Sequence, residues 1–186
     1  MMKYSWPEHF QPLVVREAYG SGILSSYCIA LEAWRRGLRV TIKHPRFGRF
    51  EISDGTKHIA FYCSRPTTLT NPDAIRLTHD KYETTEALRA AGVACPQSIP
   101  FESEQSTFAQ VAQAAQQVGY PVVIKPRNGS QGKGVLAGIV DENELRAGYE
   151  WLTEDFKARD FVLEKFFEGG DHRVLVVGDK AVAAGV

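Results

Sequence analysis

The run Tyr120-Pro-Val-Val-Ile-Lys-Pro-Arg-Asn-Gly-Ser-Gln-Gly-Lys-Gly-Val135 constrains the fold more than any other part of this 186-residue chain. A short β-branched strand ends in a lysine, a glycine-rich turn follows, and residues 135–140 read as a second strand. Glycines let backbone N–H groups turn inward around an anion, because no Cβ stands in the way. Lys125 and Lys133 would bracket that anion with positive charge. The pattern describes a lid over a polyphosphate and points to nucleotide chemistry. The same residues also fit a plain hairpin turn carrying two solvated lysines.

A P-loop is the obvious competitor, and the spacing counts against it. That motif needs G-x-x-x-x-G-K followed by Ser or Thr, leading from a strand into a helix. Here Gly129, Gly132 and Gly134 lie closer together, and Val135 follows the last of them. The next residues, Leu-Ala-Gly-Ile-Val, favour a strand, so no helix N-terminus is available to hold a phosphate.

Composition limits the partners. With 22 basic and 22 acidic residues the formal net charge is zero, so any anion site must be local. Neither nucleic acid nor a membrane surface is expected as a partner. Cys28, Cys63 and Cys95 are scattered, odd in number and without metal-ligand spacing, which suits thiols in a reducing compartment. No apolar run approaches membrane-spanning length, and none follows the N-terminal lysine, so the cytoplasm is the expected location.

Along the chain, residues 13–16 read as a strand, Gly20-Ser-Gly22 as a turn, and residues 23–36 as a helix. Leu24, Tyr27, Cys28, Leu31 and Trp34 would form its buried stripe. Gly37 supplies the stop after Arg35 and Arg36. Strands are expected at 38–42, 50–52 and 58–63, so residues 1–72 read as a small, parallel, Rossmann-like α/β unit. The glycine pair faintly echoes the dinucleotide fingerprint. However, the third glycine is missing, and Lys43 and His44 stand where the ribose-binding acid belongs, which argues against nicotinamide.

Asn71-Pro72 marks a boundary, and a second region, 73–186, opens with a helix over 73–91 closed by Gly92. A short extended piece at 95–100 and a helix at 106–118 with Gly119 as its stop come next. Asp141 is placed to cap a helix with Glu144 in capping-box position. Residues 161–167 read as a strand, and 173–177 with 181–184 as a hairpin about Gly178-Asp179-Lys180.

Lys81 on a helix, Lys125 before the glycine loop, residues 164–167 on a strand and Asp171 just beyond fall in an order that resembles the ATP-grasp superfamily. The likeness is to its peptide-ligase-like branches, in particular the ATP-grasp regions of cyanophycin synthetases and bifunctional glutathione synthetases, and it runs from residue 78 onward. It implies a fold in which a small Rossmann-like pre-ATP-grasp α/β domain precedes an incomplete ATP-grasp fold. It also implies an ATP site. Lys81 and Lys125 would neutralise the α- and β-phosphates. Gly129, Ser130, Gln131, Gly132, Lys133 and Gly134 would form the lid over the β/γ end, although Lys133 fits a solvated lid-tip lysine equally well.

Glu164, Lys165, Phe166 and Phe167 would form the adenine hinge, with at least one phenylalanine serving as ordinary core. Asp171 would accept from the ribose hydroxyls, or act as a turn aspartate after Gly169-Gly170. Arg173 would be the catalytic residue, facing the transferred phosphate or an acyl phosphate, although a solvated strand arginine fits it nearly as well. His172 receives no role. The implied reaction phosphorylates a carboxylate with ATP and lets an amine displace phosphate from the acyl phosphate.

The resemblance also implies Mg2+, held by acids and an asparagine that this family carries downstream of residue 186. After Asp171 only Asp179 remains, in a turn, so no metal ligand is assigned and the chain is expected to be inactive as a fragment or as half of a split site. A homo-oligomer or a complementing chain would then be a natural partner. Arg46, Arg49 and Lys57 could face an acidic substrate, but neither the carboxylate nor the amine can be named. The alternatives are a non-catalytic nucleotide-binding or interaction module and an ATP-grasp phosphotransferase.

Overall fold

The helix expected after Gly22 forms as α1, Leu24–Arg35, in the computed structural model, which describes residues 24–43 and 48–186. The expected strand at 13–16, the glycines at 20 and 22, His44 and Arg46 lie outside the described residues. Gly37 ends α1 in a left-handed conformation (φ 80°). There Gly37 N–H donates to Trp34 O and Leu38 N–H to Ala33 O, at 2.9 and 3.0 Å. Of the expected stripe Tyr27 is fully buried, beside Ser26, Ala30 and Ala33, whereas Cys28 is exposed and Leu24, Leu31 and Trp34 are half-buried. Small alanines let the helix approach its sheet closely, which turns the bulkier side chains to the margins of the contact.

That sheet is a meander of β1 (Arg39–Ile42), β2 (Arg49–Ser53), β3 (His58–Tyr62) and β4 (Arg65–Pro66), with every neighbouring pair antiparallel. The parallel pairing expected in this unit needs residues 13–16. Phe50 and Phe61 pair across β2 and β3 with stacked rings 4.7 Å apart, and pack with Tyr27 and Ala30.

The chain divides into two compact units between Ile75 and Arg76, within α2 (Pro72–Leu77). The expected helix over 73–91 is broken into α2 and α3 (Lys81–Ala90). Asp80 leaves helical geometry (φ −107°, ψ 116°), and its carboxylate accepts the Tyr82 and Glu83 amides, capping α3.

In the second unit β5 (Ser98–Glu102), β6 (Val122–Pro126), β7 (Leu136–Ile139) and β8 (Asp160–Lys165) form an antiparallel sheet in the order β5-β8-β6-β7. Helices α4 (Phe108–Val118) and α5 (Glu142–Glu150) bring Val111, Ala115 and Leu145 onto Val122, Ile124, Phe161 and Leu163. Thr107 and Gln110 form a reciprocal capping box at the start of α4. Asp141 caps α5, but the Glu144 carboxylate accepts from Val140 N–H rather than the cap residue's own amide, so the box expected there is displaced by one residue. A π-helical turn, Trp151–Asp155, follows α5.

β9 (Arg173–Val177) and β10 (Lys180–Gly185) form the expected hairpin as a separate two-stranded sheet, exposed at every residue. No helix of the described residues is long and apolar enough to cross a membrane.

Candidate nucleotide site

Alternation along β6 buries Val122, Ile124 and Pro126 and leaves Val123 and Lys125 half-buried on the opposite face. Register places Glu164 of β8 opposite Val123 of β6 and Ser98 of β5. Its carboxylate therefore meets two side chains from neighbouring strands. Lys125 Nζ lies 2.5 Å from Glu164 Oε2, and the Ser98 hydroxyl donates to Oε1 at 3.1 Å. Glu164 is 6% exposed, so this is a sheltered ion pair.

Lys81, the first residue of α3, reaches the same region from another element. Its ammonium donates to the carbonyls of Pro126 (3.0 Å), Gly129 (3.1 Å) and Arg127 (3.5 Å). Burial and then the Lys125 charge lower its pKa below the usual lysine value, partly offset by Asp80 and Glu164. Lys125 thus pairs with Glu164 while Lys81 is held by backbone carbonyls, so a second positive charge stands close by in a partly desolvated place. An anion would relieve it.

The glycine loop lies directly after β6. Gly129, Ser130, Gln131, Gly132 and Lys133 are exposed, with Gln131 (φ 60°) and Gly132 (φ 69°) in left-handed geometry. Within the loop Lys133 N–H donates to Ser130 O, and Val135 N–H to Gly132 O. Gly134 differs from its neighbours. It is buried at φ 73°, and a Cβ there would stand 2.8 Å from both Phe156 Cε1 and Pro126 Cγ. It belongs to the packed base of the loop.

Residues 78–185 match the family model for the ATP-grasp domain. The chain belongs to the ATP-grasp family. A cyanophycin synthetase from Synechocystis sp. is 37% identical over 110 residues, covering 59% of this chain and 12% of that enzyme. The Haemophilus ducreyi protein named "Probable alpha-L-glutamate ligase" is 32% identical over 143 residues, 75% of this chain and 45% of its own length. Less than half of either relative is therefore spanned. A bifunctional glutathione synthetase from Pasteurella multocida shares the fold at 20% identity, with a TM-score of 0.53 over 87% of this chain and 22% of that one. The mixed α/β chain carries part of an ATP-grasp fold, in keeping with the resemblance read from its residues.

Within this ATP-grasp chain the expected site residues divide into three sets. Lys81, Lys125 and Glu164 come together beneath the loop. Lys165 does not join them, because its ammonium donates to the Gly119 and Tyr120 carbonyls, each at 2.8 Å, at the end of α4. Only its backbone remains for a hinge. The strand expected over 161–167 ends at Lys165. Phe166 follows with its N–H on Pro121 O, and neither it nor Phe167 (66% exposed) is a core residue. Asp171 and Arg173 form a third set. They pair with each other at 3.4 Å, and among the described residues no hydrogen bond or ion pair links them to the two lysines.

Three contributors went unread in the sequence: Ser98, Asp80 and Arg127. Asp80 had a local signal, a capping residue three places before Glu83. Arg127 and Ser98 had none. Among the described residues no three His, Cys, Asp or Glu side chains gather as a metal site.

Proposed function

We propose that this chain is the ATP-binding part of an ATP-dependent carboxylate–amine ligase working through an acyl phosphate. The observation that carries this reading is the meeting of Lys81, from a helix and held by the carbonyls of residues 126, 127 and 129, with the Lys125–Glu164 pair of two neighbouring strands at the start of a glycine loop. Triphosphate oxygens would replace the carbonyls around Lys81 and compete with Glu164 for Lys125. Each replacement exchanges a neutral or shared partner for a full charge in a partly dry site, where charge pairing counts most. The open amides of residues 129–133 would follow the β/γ end. Glu164, once relieved of Lys125, would accept from the adenine amine, while the backbone of residues 165–167 contacts the ring.

The ligase assignment rests on the named relatives and on family membership. Carboxylate and amine stay unspecified. We assign this chain binding and positioning, with turnover by the chain alone not expected.

Calorimetric titration with ATP, with and without magnesium, tests the proposal. The wild-type chain should bind in either buffer, and Lys125→Ala should weaken binding by at least about tenfold, roughly 1.4 kcal/mol. No detectable binding, or equal affinity in Lys125→Ala, would overturn the nucleotide reading. Turnover at an ordinary rate by the chain alone would overturn the binding-only part.

A further inference from the structure

Arg127 leaves β6 just ahead of the glycine loop and is engaged on every side. Its N–H donates to Asp160 O and its carbonyl accepts the Lys81 N–H, both at 3.0 Å. Its guanidinium forks onto both Asp80 oxygens, with Nη2 2.6 Å from Oδ2 and Nε 3.0 Å from Oδ2 and 3.3 Å from Oδ1. The plane also lies over the Tyr82 ring, 5.4 Å from its centroid. Asp80 meanwhile accepts the Tyr82 and Glu83 amides at 2.9 and 3.1 Å. The residues on both sides of Lys81, and the Lys81 amide itself, are thus fastened to one arginine.

We propose that Asp80 and Arg127 are positioning residues for Lys81: their ion pair fixes the start of α3 to the exit of β6 and aims the lysine at the place it shares with Lys125. A lysine stem has four rotatable methylenes, so only a fixed Cα can hold its ammonium within reach of a chosen phosphate. The bidentate geometry supplies that fixity, since an arginine–carboxylate fork resists both sliding and rotation. This inference rests on the nucleotide reading for its purpose but not for its geometry.

The test uses the whole 186-residue chain, labelled at lysine nitrogen, as wild type, Asp80→Asn, Arg127→Gln and Arg127→Lys. Asparagine still caps a helix, so Asp80→Asn removes the charge and keeps the cap. Without nucleotide, the Lys81 amide should exchange at least about tenfold faster in Asp80→Asn and in Arg127→Gln. The charged groups facing Lys81 are Lys125, Asp80 and Glu164. Its titration midpoint should therefore fall in Asp80→Asn, which deletes a favourable charge, and rise in Arg127→Gln, which frees Asp80 to act on it. A loss of packing alone would not move the two in opposite directions.

ATP affinity should drop about tenfold in both variants and recover in part in Arg127→Lys. Unchanged Lys81 exchange and titration in folded variants would overturn the proposal, whatever happens to ATP. If Lys81 shifts as stated while the wild type binds no ATP, the nucleotide reading fails and the positioning of Lys81 stands.

Discussion

Strands β8 and β9 are close relatives as sequences and opposites as structures. Asp160-Phe-Val-Leu-Glu-Lys165 and Arg173-Val-Leu-Val-Val177 each carry an unbroken apolar run, and both form strands. β8 lies between β5 and β6 beneath α4, with Phe161, Val162 and Leu163 at 0% exposure. β9 has β10 alone beside it, and Val174, Leu175, Val176 and Val177 are between 57% and 61% exposed. Pattern decides that a segment extends; neighbours decide whether it is buried. The candidate site straddles this contrast. Lys125 and Glu164 sit on the buried sheet with fixed partners, whereas Asp171 and Arg173 belong to the exposed hairpin and hold only each other.

The widest gap should appear in the leucines. Leu163→Ala removes a fully buried side chain and should cost about 3–4 kcal/mol in urea unfolding. Leu175→Ala, at a position 59% exposed, should cost less than about 1 kcal/mol. Equal losses would mean that the hairpin is covered in solution, and the comparison would break.

The turn glycines give a smaller difference of the same kind. Gly134, between β6 and β7, combines φ 73° with Phe156 and Pro126 where a Cβ would go. Gly134→Ala should cost about 2–3 kcal/mol, from strain plus overpacking. Gly178, between β9 and β10, has φ 63° and nothing within 4 Å of the Cβ position, so Gly178→Ala should cost about 1 kcal/mol, from strain alone. Thermal melts of the two variants, compared with the wild type, separate these components.

What could be read from the sequence was local. The β-branched run into Lys125, the stops at Gly37, Gly92 and Gly119, and the Asp141 cap all act within a few residues of themselves. What escaped reading was long-range. The break before Lys81 depends on Asp80, whose other partner, Arg127, lies 47 residues on. Lys125 and Glu164 are both expected site residues, one toward phosphate and one toward adenine, yet register across β6 and β8 makes them partners of each other. Lys165 looks equivalent to its neighbours in the hinge motif, but alternation along β8 sends its side chain to the end of α4. No spacing rule on one strand reveals which face a second strand will cover.

The smallest effect concerns the two ion pairs, one on each side of the contrast. Asp80 and Arg127 are 17% and 22% exposed at their side chains, and Asp171 and Arg173 are 79% and 86% exposed. Burial works to raise the Asp80 pKa, but the Arg127 guanidinium and the Glu83 and Tyr82 amides outweigh it and hold the carboxyl below its usual value of 3.8. A carboxyl with a lowered folded-state pKa stabilises the fold fully above its unfolded value. That contribution fades as pH falls through the folded value. Asp80→Asn should therefore be less stable than the wild type at neutral pH, and the two urea curves should converge as pH drops below about 4. Asp171→Asn should stay within about 0.5 kcal/mol of the wild type at neutral pH, because water and salt screen so open a pair. A neutral-pH loss in Asp171→Asn as large as that in Asp80→Asn would show that the hairpin pair is sheltered, and would put β9 on the same footing as β8.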